Sequence, residues 1–258
     1  MKVSLHRHNS HIAIITIDNN TKMNALTRQM MQELGKLWDE LEEDDTRCII
    51  ITGAGERAFC VGADISGDLS ATEDKTIAIN HSLLKTDTYS KPIISAINGD
   101  CVGGGVELIL STDIRCAAKT ARFGLPEVKW SIYPFGGATT KLIHQIGHVH
   151  AMDLLLTGRL ISAEDAQKLN LINIALENDD VMNWALEKAE IIAANSPSAI
   201  QAVKTQVTTS ISERVKAQEQ LDQLLGDHVR SQPDFIEGTK AFIAVSYTHL
   251  RAHETIHY

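Results

Sequence analysis

The chain has 258 residues, of which 43% are hydrophobic and 22% are charged, a composition typical of a globular protein with a large core. The formal net charge of −9 argues against nucleic acid or an anionic membrane as the main partner. No apolar run is long enough to span a bilayer, and the first residues lack the apolar core of a signal peptide. We therefore expect neither a membrane segment nor export.

The cysteines are widely spaced and form no Cys-x-x-Cys pair; they are Cys48, Cys60, Cys101 and Cys116. This spacing indicates neither a zinc site nor a disulfide framework. We expect buried, reduced thiols in a cytoplasmic protein, and we expect no metal site.

Strand and helix patterns alternate through the first two thirds of the chain. Short apolar runs rich in β-branched residues predict strands at 2–8, 11–17, 48–52, 93–97 and 113–118. Apolar residues at helical spacing predict helices at 26–41, 73–89, 104–110 and 138–146. This alternation, in units of roughly 40 residues, favours an α/β arrangement over a helical bundle.

The last third of the chain becomes helical. A Ser-x-x-acid capping pattern at 162–165 opens a short helix, and the last predicted strand is 172–176. Further helices are predicted at 180–194, 198–208, 213–230 and 233–243. A helical appendage of this kind suits oligomerisation or closure of a lid.

A glycine-rich turn stands between a strand and a helix. Gly103, Gly104 and Gly105 follow the strand at 93–97, and Glu107 lies in the apolar helix behind them. Glycine permits close backbone approach, and free N–H groups at a helix start attract an oxygen that becomes anionic during a reaction. A carboxylate behind such a turn is a candidate acid or base. Three glycines alone are more often a tightly packed turn. The choice between a packed turn and a site for an anionic oxygen therefore depends on the rest of the sequence.

Three segments together resemble the enoyl-CoA hydratase/isomerase (crotonase) superfamily. The stretch RAFCVGADI at 57–65 resembles one motif of that family, and NGDCVGGGVEL at 98–108 resembles a second. The segment FGLPE at 123–127 follows at the family's spacing. The resemblance is specific because the motifs occur in the family's order, and it covers about residues 3–243.

The resemblance implies an α/β fold, a crotonase-like spiral of repeated ββα units with a C-terminal helical trimerisation region. We place the spiral core at 1–195 and the trimerisation region at 196–245. Trimers or dimers of trimers are usual in the family, so we expect a homo-oligomer. Residues 246–258 read like translated adapter sequence, and we expect them to be a non-native, poorly packed tail whose histidines bind no metal.

The resemblance also implies a site for an acyl-CoA thioester. The backbone amides of Val61 and Gly104 would form an oxyanion hole that polarises the thioester carbonyl. Val61, where relatives often carry alanine, is acceptable because the donor is a backbone group. The other motif positions would bind the coenzyme A and acyl parts of the substrate: Ala63, Asp64, Ile65, Gly103, Pro134 and Phe135. Coenzyme A belongs to the substrate, so we expect no separate cofactor.

Both motif positions that handle protons are glutamates, Glu107 and Glu127. Hydratases of the family use two glutamates, so the implied reaction is syn addition of water to a 2-enoyl-CoA, which gives a 3-hydroxyacyl-CoA. Glu107 would deprotonate the water that attacks Cβ, and Glu127 would deliver a proton to Cα. A lone glutamate is usually a solvated surface residue, and the pair at motif positions favours the catalytic interpretation.

Several positions depart from the family's pattern. Ser131 and Phe135 stand where hydratases tend to have glycine, so Phe135 and Trp130 either reshape the acyl pocket or are ordinary core aromatics. Ser66 stands where many relatives carry a lysine near the CoA phosphates. Isomerisation, decarboxylation and thioester hydrolysis on the same scaffold stay open as alternatives. Non-catalytic RNA binding ranks lowest because the chain is acidic.

Overall fold

The computed structural model describes residues 1–64 and 73–251, apart from a few side chains next to the excluded residues. The predictions for Ile65 and Ser66, and for side-chain packing in the tail at 246–258, lie outside the described residues and side chains. The element bounds below therefore refer to the described ranges.

The strands form a larger and a smaller sheet. In chain order they are β1 (Lys2–Arg7), β2 (Ile12–Asp18), β3 (Cys48–Gly53), β4 (Ala58–Cys60), β5 (Ile93–Ile97), β6 (Asp100–Val102), β7 (Ile114–Ala118), β8 (Arg122–Gly124), β9 (Ile161–Ser162) and β10 (Ile174–Leu176). The larger sheet has the order β1-β2-β3-β5-β7-β10, antiparallel between β1 and β2 and parallel elsewhere. The smaller sheet has the order β4-β6-β8-β9. The parallel pairing explains the isoleucine-rich strands, because both faces of a parallel sheet are covered.

Helices cover the faces of the larger sheet and form the last third of the chain. In chain order they are α1 (Arg28–Glu43), α2 (Glu73–Ser82), α3 (Gly104–Ile109), α4 (Ala138–Ile146), α5 (His148–Thr157), α6 (Ala163–Lys168), α7 (Val181–Ala194), α8 (Pro197–Ser231) and α9 (Pro233–Arg251). The predicted α/β class with a helical C-terminal region is therefore confirmed. Within the described ranges, every helix is too short or too polar to traverse a bilayer.

The core lies on both sides of the larger sheet. On one side, Leu34 and Trp38 of α1 pack with Ile51 of β3, and all are fully buried. On the other side, Ile50 of β3 packs with Ala185 of α7. Successive residues of one strand thus face opposite layers, as the two-residue period of a strand requires. The cysteines are free and buried, as predicted.

The long helix α8 corrects the prediction of two helices at 198–208 and 213–230. The intervening Thr and Ser residues do not break it, because their hydroxyls bond to carbonyls of the preceding turn. Thr208 Oγ1 donates to the carbonyl of Lys204 at 2.8 Å, and Thr209 Oγ1 donates to that of Thr205 at 2.7 Å. The helix therefore continues through the polar stretch.

Two other helices differ from the sequence prediction. The helix expected at 73–89 ends at Ser82, since Leu84 adopts a positive φ of 48° and turns the chain. Helix α5 was not predicted, because its apolar residues lie on all sides of the helix. The sequence therefore lacks the single apolar face that indicates an amphipathic helix. Val149 and Leu156 of α5 are 77% and 67% exposed, whereas Leu154 is buried.

Candidate active site

Two parallel strands bring the predicted oxyanion segments together. β4 and β6 are neighbours and pair Cys60 with Cys101, so the residues that follow the two strands emerge side by side. A Cβ on Gly62 would lie 3.0 Å from the backbone nitrogen of Gly104. Gly62 has a φ of +99°, which glycine adopts without strain. Glycine is therefore required where the two segments meet.

The two predicted donor amides lie on either side of this contact. Val61 directly precedes Gly62 and is half-buried. Gly104 is the first residue of α3, so its N–H has no acceptor within that helix. A Cβ on the next residue, Gly105, would overlap the carbonyl oxygen of Cys60. The start of α3 is thus packed against the end of β4. The backbone amides of Val61 and Gly104 therefore lie in the same part of the structure.

Glu107 lies in α3, one turn behind the glycines, with 5% of its surface exposed. Its Oε1 accepts a hydrogen bond from the backbone N–H of Gly136 at 2.5 Å. A Cβ on Gly136 would overlap Oε2 of the same carboxylate. Burial raises the pKa of Glu107 to about 7, although the Gly136 N–H and the charge of Lys85 act in the opposite direction.

Glu127 lies in a short 3-10 helix, Pro126–Trp130, that follows β8. Its Oε1 is 3.1 Å from the position that a Cβ on Gly103 would take, which places the carboxylate beside the glycine turn. Its Oε2 is buried and has no hydrogen-bond partner among the described residues. Burial, and next the charge of Glu107, raise the pKa of Glu127 to about 8. Because the charge of Glu107 disfavours ionisation of Glu127, the two acids influence each other's titration.

The first predicted coenzyme A residues lie at the edge of the glycine turn. Ala63 is exposed and forms an isolated parallel bridge with Leu26. The N–H of Asp64 donates to the carbonyl of Leu26 at 2.8 Å, and Oδ2 of Asp64 pairs with Nζ of Lys22 at 2.8 Å. Ala63 and Asp64 therefore lie beside the residues that lead into α1.

The predicted acyl-side residues lie between Glu107 and the C-terminal helices. Pro134 is buried. The ring of Phe135 faces α8, and the guanidinium carbon of Arg230 lies 4.5 Å from the ring centroid. The ring of Trp130 packs edge-on against Phe242 of α9, with 5.3 Å between centroids. Both aromatic rings thus make packing contacts with the helical region, which favours the core interpretation of these two departures.

Two buried lysines behind Glu107 were not predicted. Lys85 is 1% exposed, and its Nζ lies 3.0 Å from Oε2 of Glu219 and 3.3 Å from Oδ2 of Asp222. Lys141 is 4% exposed, and its Nζ donates to the carbonyl of Leu84 at 2.9 Å. Burial lowers the pKa of Lys141 to about 7, while the nearby Glu107 charge raises it. Both lysines lower the pKa of Glu107, so they oppose the effect of its burial.

No local sequence motif predicts that these lysines are buried, because the partners of each lysine are distant in the sequence. The one available signal is a lysine directly after an apolar pair, Leu83 and Leu84, where a surface charge is unexpected. As to metals, no cluster of three or more potential ligand side chains occurs in the ranges that the structure describes.

Comparison with known proteins identifies the family. The profile described as enoyl-CoA hydratase/isomerase matches residues 7–247. The chain belongs to the enoyl-CoA hydratase/isomerase family. It is a crotonase-fold enzyme of acyl-CoA chemistry, and the prediction made from the three motifs is confirmed at this level.

Individual relatives agree with this assignment. An enoyl-CoA hydratase of Mycobacterium tuberculosis is 36% identical over 240 residues, which is 90% of each chain. A short-chain-enoyl-CoA hydratase of Clostridium acetobutylicum is 36% identical over 198 residues, 75% of this chain and 76% of the relative. The crystal structure of a carnitinyl-CoA hydratase from Mycobacterium avium superposes with a TM-score of 0.86 at 30% identity, covering 94% of this chain and 95% of that one.

Proposed function

We propose that this enzyme is an enoyl-CoA hydratase, which adds water syn across the double bond of a 2-enoyl-CoA to give a 3-hydroxyacyl-CoA. One observation carries the proposal: Glu107 and Glu127, both with a raised pKa, lie next to the same glycine turn. Hydration needs one group that takes a proton from water and one that gives a proton to carbon. The paired carboxyl groups supply both.

The thioester oxygen would bind to the backbone amides of Val61 and Gly104. As water attacks Cβ, electrons move toward this oxygen and the substrate gains enolate character. Two fixed donors stabilise that charge more in the transition state than in the ground state. The glycine contact between the two segments supports this role, because it holds the donors close together.

In the acid-base step, ionised Glu107 would take a proton from the attacking water while the water oxygen bonds to Cβ. Protonated Glu127 would then give its proton to Cα, so that the proton count is conserved. Burial raises the pKa of both carboxyl groups, so that one can be protonated while the other is ionised. The hydrogen bond that Glu107 accepts from the Gly136 N–H stabilises its ionised form, which supports Glu107 as the base and Glu127 as the acid.

The remaining predicted residues would bind the substrate. Ala63, Asp64 and Ile65 would contact coenzyme A, and Gly103 would lie against the reacting carbons. Pro134 would form the wall behind the acyl group, and Phe135 would support this wall from behind through its packing against α8. The reaction as written is balanced by the substrate, water and the two acids, so we propose that no separate cofactor takes part.

Alternative reactions differ in their need for two acids and a water. An isomerase moves a proton between two carbons, and one acid-base group can do this. Retention of both glutamates therefore favours hydration, as do relatives named for hydration of enoyl-CoA and carnitinyl-CoA. Decarboxylation and thioester hydrolysis do not explain why both acids are placed at the turn. RNA binding has the least support, given the net charge of −9.

We further propose a cytoplasmic homotrimer, or a dimer of such trimers. An apolar stripe along the outer face of α8 supports assembly; Val203, Val207, Leu221 and Leu224 are 66%, 59%, 47% and 65% exposed in the single chain. These positions fall on one side of a helix, and an exposed stripe of this kind is typical of an interface. The free cysteines support a reducing compartment.

The test is loss of the conjugated-thioester absorbance with short and medium 2-enoyl-CoA substrates. Glu107→Gln and Glu127→Gln should each lower kcat by roughly 10²–10⁴-fold. Glu213→Gln, an exposed position on α8, is the matched control and should retain activity. Hydration that survives both site substitutions would refute the mechanism. A product with a shifted double bond and no added water would select the isomerase instead.

A further inference from the structure

A short segment, 133–136, connects the Glu107 carboxylate with the long C-terminal helix. At its end, the N–H of Gly136 donates to Oε1 of Glu107 at 2.5 Å. Because a side chain on Gly136 would overlap the carboxylate, the backbone itself forms the surface on which Glu107 rests. The position of this segment therefore determines the position of the carboxylate.

The first contact of this segment with α8 is a buried polar chain. The hydroxyl of Tyr133 donates to Oδ1 of Asp222 at 2.9 Å. The other oxygen of Asp222 lies 3.3 Å from Nζ of Lys85, which also pairs with Glu219. Asp222 is 4% exposed, so its orientation is fixed by these partners. The buried Asp222 carboxylate, held by Tyr133 on one oxygen and by Lys85 on the other, ties the segment to α8.

In the second contact, the ring of Phe135 packs into the gap that Gly226 leaves in the surface of α8. A Cβ on Gly226 would overlap Cζ of the ring, so the ring occupies the space that a side chain of the helix would fill. Arg230, one turn further on, lies 4.5 Å from the ring centroid in a cation-π contact. The edge of the Tyr133 ring packs against Phe135, with 5.3 Å between centroids.

We propose that α8 positions the catalytic carboxylate: Asp222, Gly226 and Arg230 hold the segment 133–136, and the segment holds Glu107. This inference rests on the proposed function of Glu107. All three residues act on Glu107 through the segment, so they are positioning residues. The inference also gives a specific role to Phe135, because its ring docks the segment onto the helix.

The expected effect of a loosened segment is a loss of turnover with little change in substrate binding. Displacement of a catalytic group by about 1 Å costs on the order of 10²-fold in rate. The proposed coenzyme A residues Ala63 and Asp64 instead contact Leu26 and Lys22, ahead of α1, so KM should stay close to that of the wild type.

The sharpest variant is Gly226→Ala. Alanine favours the helix more than glycine does, yet its methyl group must displace Phe135. We expect kcat to fall by roughly 10–100-fold with KM nearly unchanged. The double variant Gly226→Ala/Phe135→Leu relieves the overlap and should recover the activity of Phe135→Leu alone. Wild-type kcat in Gly226→Ala, or a double variant clearly slower than Phe135→Leu alone, would overturn the inference.

A second variant keeps the test decisive if Gly226→Ala fails to fold. Tyr133→Phe retains the ring and removes only the hydroxyl that bonds to Asp222. It should lower kcat and speed hydrogen exchange at the Gly136 amide, while Glu213→Gln changes neither. Unchanged kcat and unchanged exchange in Tyr133→Phe would contradict the positioning role.

Glu107→Gln, measured in parallel, separates the two possible failures. If Glu107→Gln keeps wild-type hydration activity, the proposed function is wrong, whatever the Gly136 amide shows. If Glu107→Gln is inactive but Gly226→Ala and Tyr133→Phe leave both kcat and amide exchange unchanged, the positioning inference alone is wrong.

Discussion

The carboxylate of Glu127 lies directly beside the backbone of Gly103: a Cβ on Gly103 would be 3.1 Å from its Oε1. Gly103 also has a positive φ of 57° and donates its N–H to the carbonyl of Gly124 at 2.9 Å. The glycine therefore serves two purposes. It allows a backbone conformation that other residues rarely adopt, and it leaves room for the second acid.

Substitution of Gly103 by alanine should reduce both stability and turnover. The backbone conformation should cost about 1–3 kcal/mol of unfolding free energy, and the methyl group must push against Glu127. Gly147→Ala is the matched control, because Gly147 also has a positive φ, of 81°, but nothing lies within 4 Å of its Cβ position. Urea unfolding should show a loss in both variants, whereas kcat should fall only in Gly103→Ala. Equal kcat in the two would contradict this role.

The rate should depend on pH in a bell-shaped manner. Activity requires one proton on the pair, since Glu107 must be ionised and Glu127 protonated. With pKa values of about 7 and about 8, kcat/KM should fall below pH 7 as Glu107 is protonated. It should also fall above pH 8 as Glu127 ionises. A profile of kcat/KM from pH 5 to 10 tests this, and a flat profile across that range would be inconsistent with paired acids.

Stability should also depend on pH through Glu127. Its pKa is raised from 4.5 to about 8 in the folded protein, so the native state binds more protons than the unfolded state between these values. The free energy of unfolding therefore falls as pH rises through this window. Glu127→Gln, which resembles the protonated acid, should match the wild type at pH 5 and exceed it at pH 8.5. Urea titrations at the two pH values measure this, and a variant with the wild-type pH dependence would show that Glu127 is not desolvated.

Local patterns predicted the parts of the structure that depend on neighbouring residues. The isoleucine-rich strands β3 and β5 follow from short apolar runs, and the amphipathic α1 follows from helical periodicity. The motif positions also placed Glu107 and Glu127 at one turn, because glycines in both segments make the close approach possible. The three-residue strands β4, β6 and β8 gave no periodic signal, since their extended conformation depends on pairing with one another.

Other features depend on contacts between distant parts of the chain. Lys85 has its partners in α8, and no pattern near it indicates that its charge is buried. Likewise, Phe135 reads as a possible pocket residue until Gly226 is known to leave a gap for its ring. The continuity of α8 was missed for a different reason, because hydroxyl-to-carbonyl bonds within the helix satisfy side chains that usually favour turns.

Disruption of the stripe on α8 should prevent assembly. Leu221→Glu/Leu224→Glu places two charges on the proposed interface, and both leucines are exposed in the single chain, so folding should be unaffected. Lys216→Glu introduces the same side chain at an exposed position off the stripe. Light scattering after gel filtration should give three or six times the 28.3 kDa chain mass for the wild type and Lys216→Glu, and the single mass for the double variant. A monomeric wild type would refute the proposed trimer.

Removal of the Lys85 charge should destabilise the protein strongly. Lys85 is 1% exposed and lies between Glu219 and Asp222, so Lys85→Met would leave a buried carboxylate without its counter-ion. Loss of one partner of a buried ion pair costs about 3–5 kcal/mol, whereas replacement of both partners by apolar groups is often close to neutral. Lys85→Met/Asp222→Leu should therefore recover much of the free energy of unfolding that Lys85→Met loses.

The matched control for this buried pair is the surface ion pair of Lys119 with Glu177, whose side chains are 51% and 71% exposed. Lys119→Met should change the free energy of unfolding far less than Lys85→Met does, because solvent screens the exposed pair. Urea unfolding of the three variants at one pH provides the comparison. A loss in Lys85→Met no larger than that in Lys119→Met would mean that water reaches the Lys85 cluster. The carboxylates of Glu219 and Asp222 would then not need Lys85 as a counter-ion, and the rigidity attributed to Asp222 would have to come from its contact with Tyr133 alone.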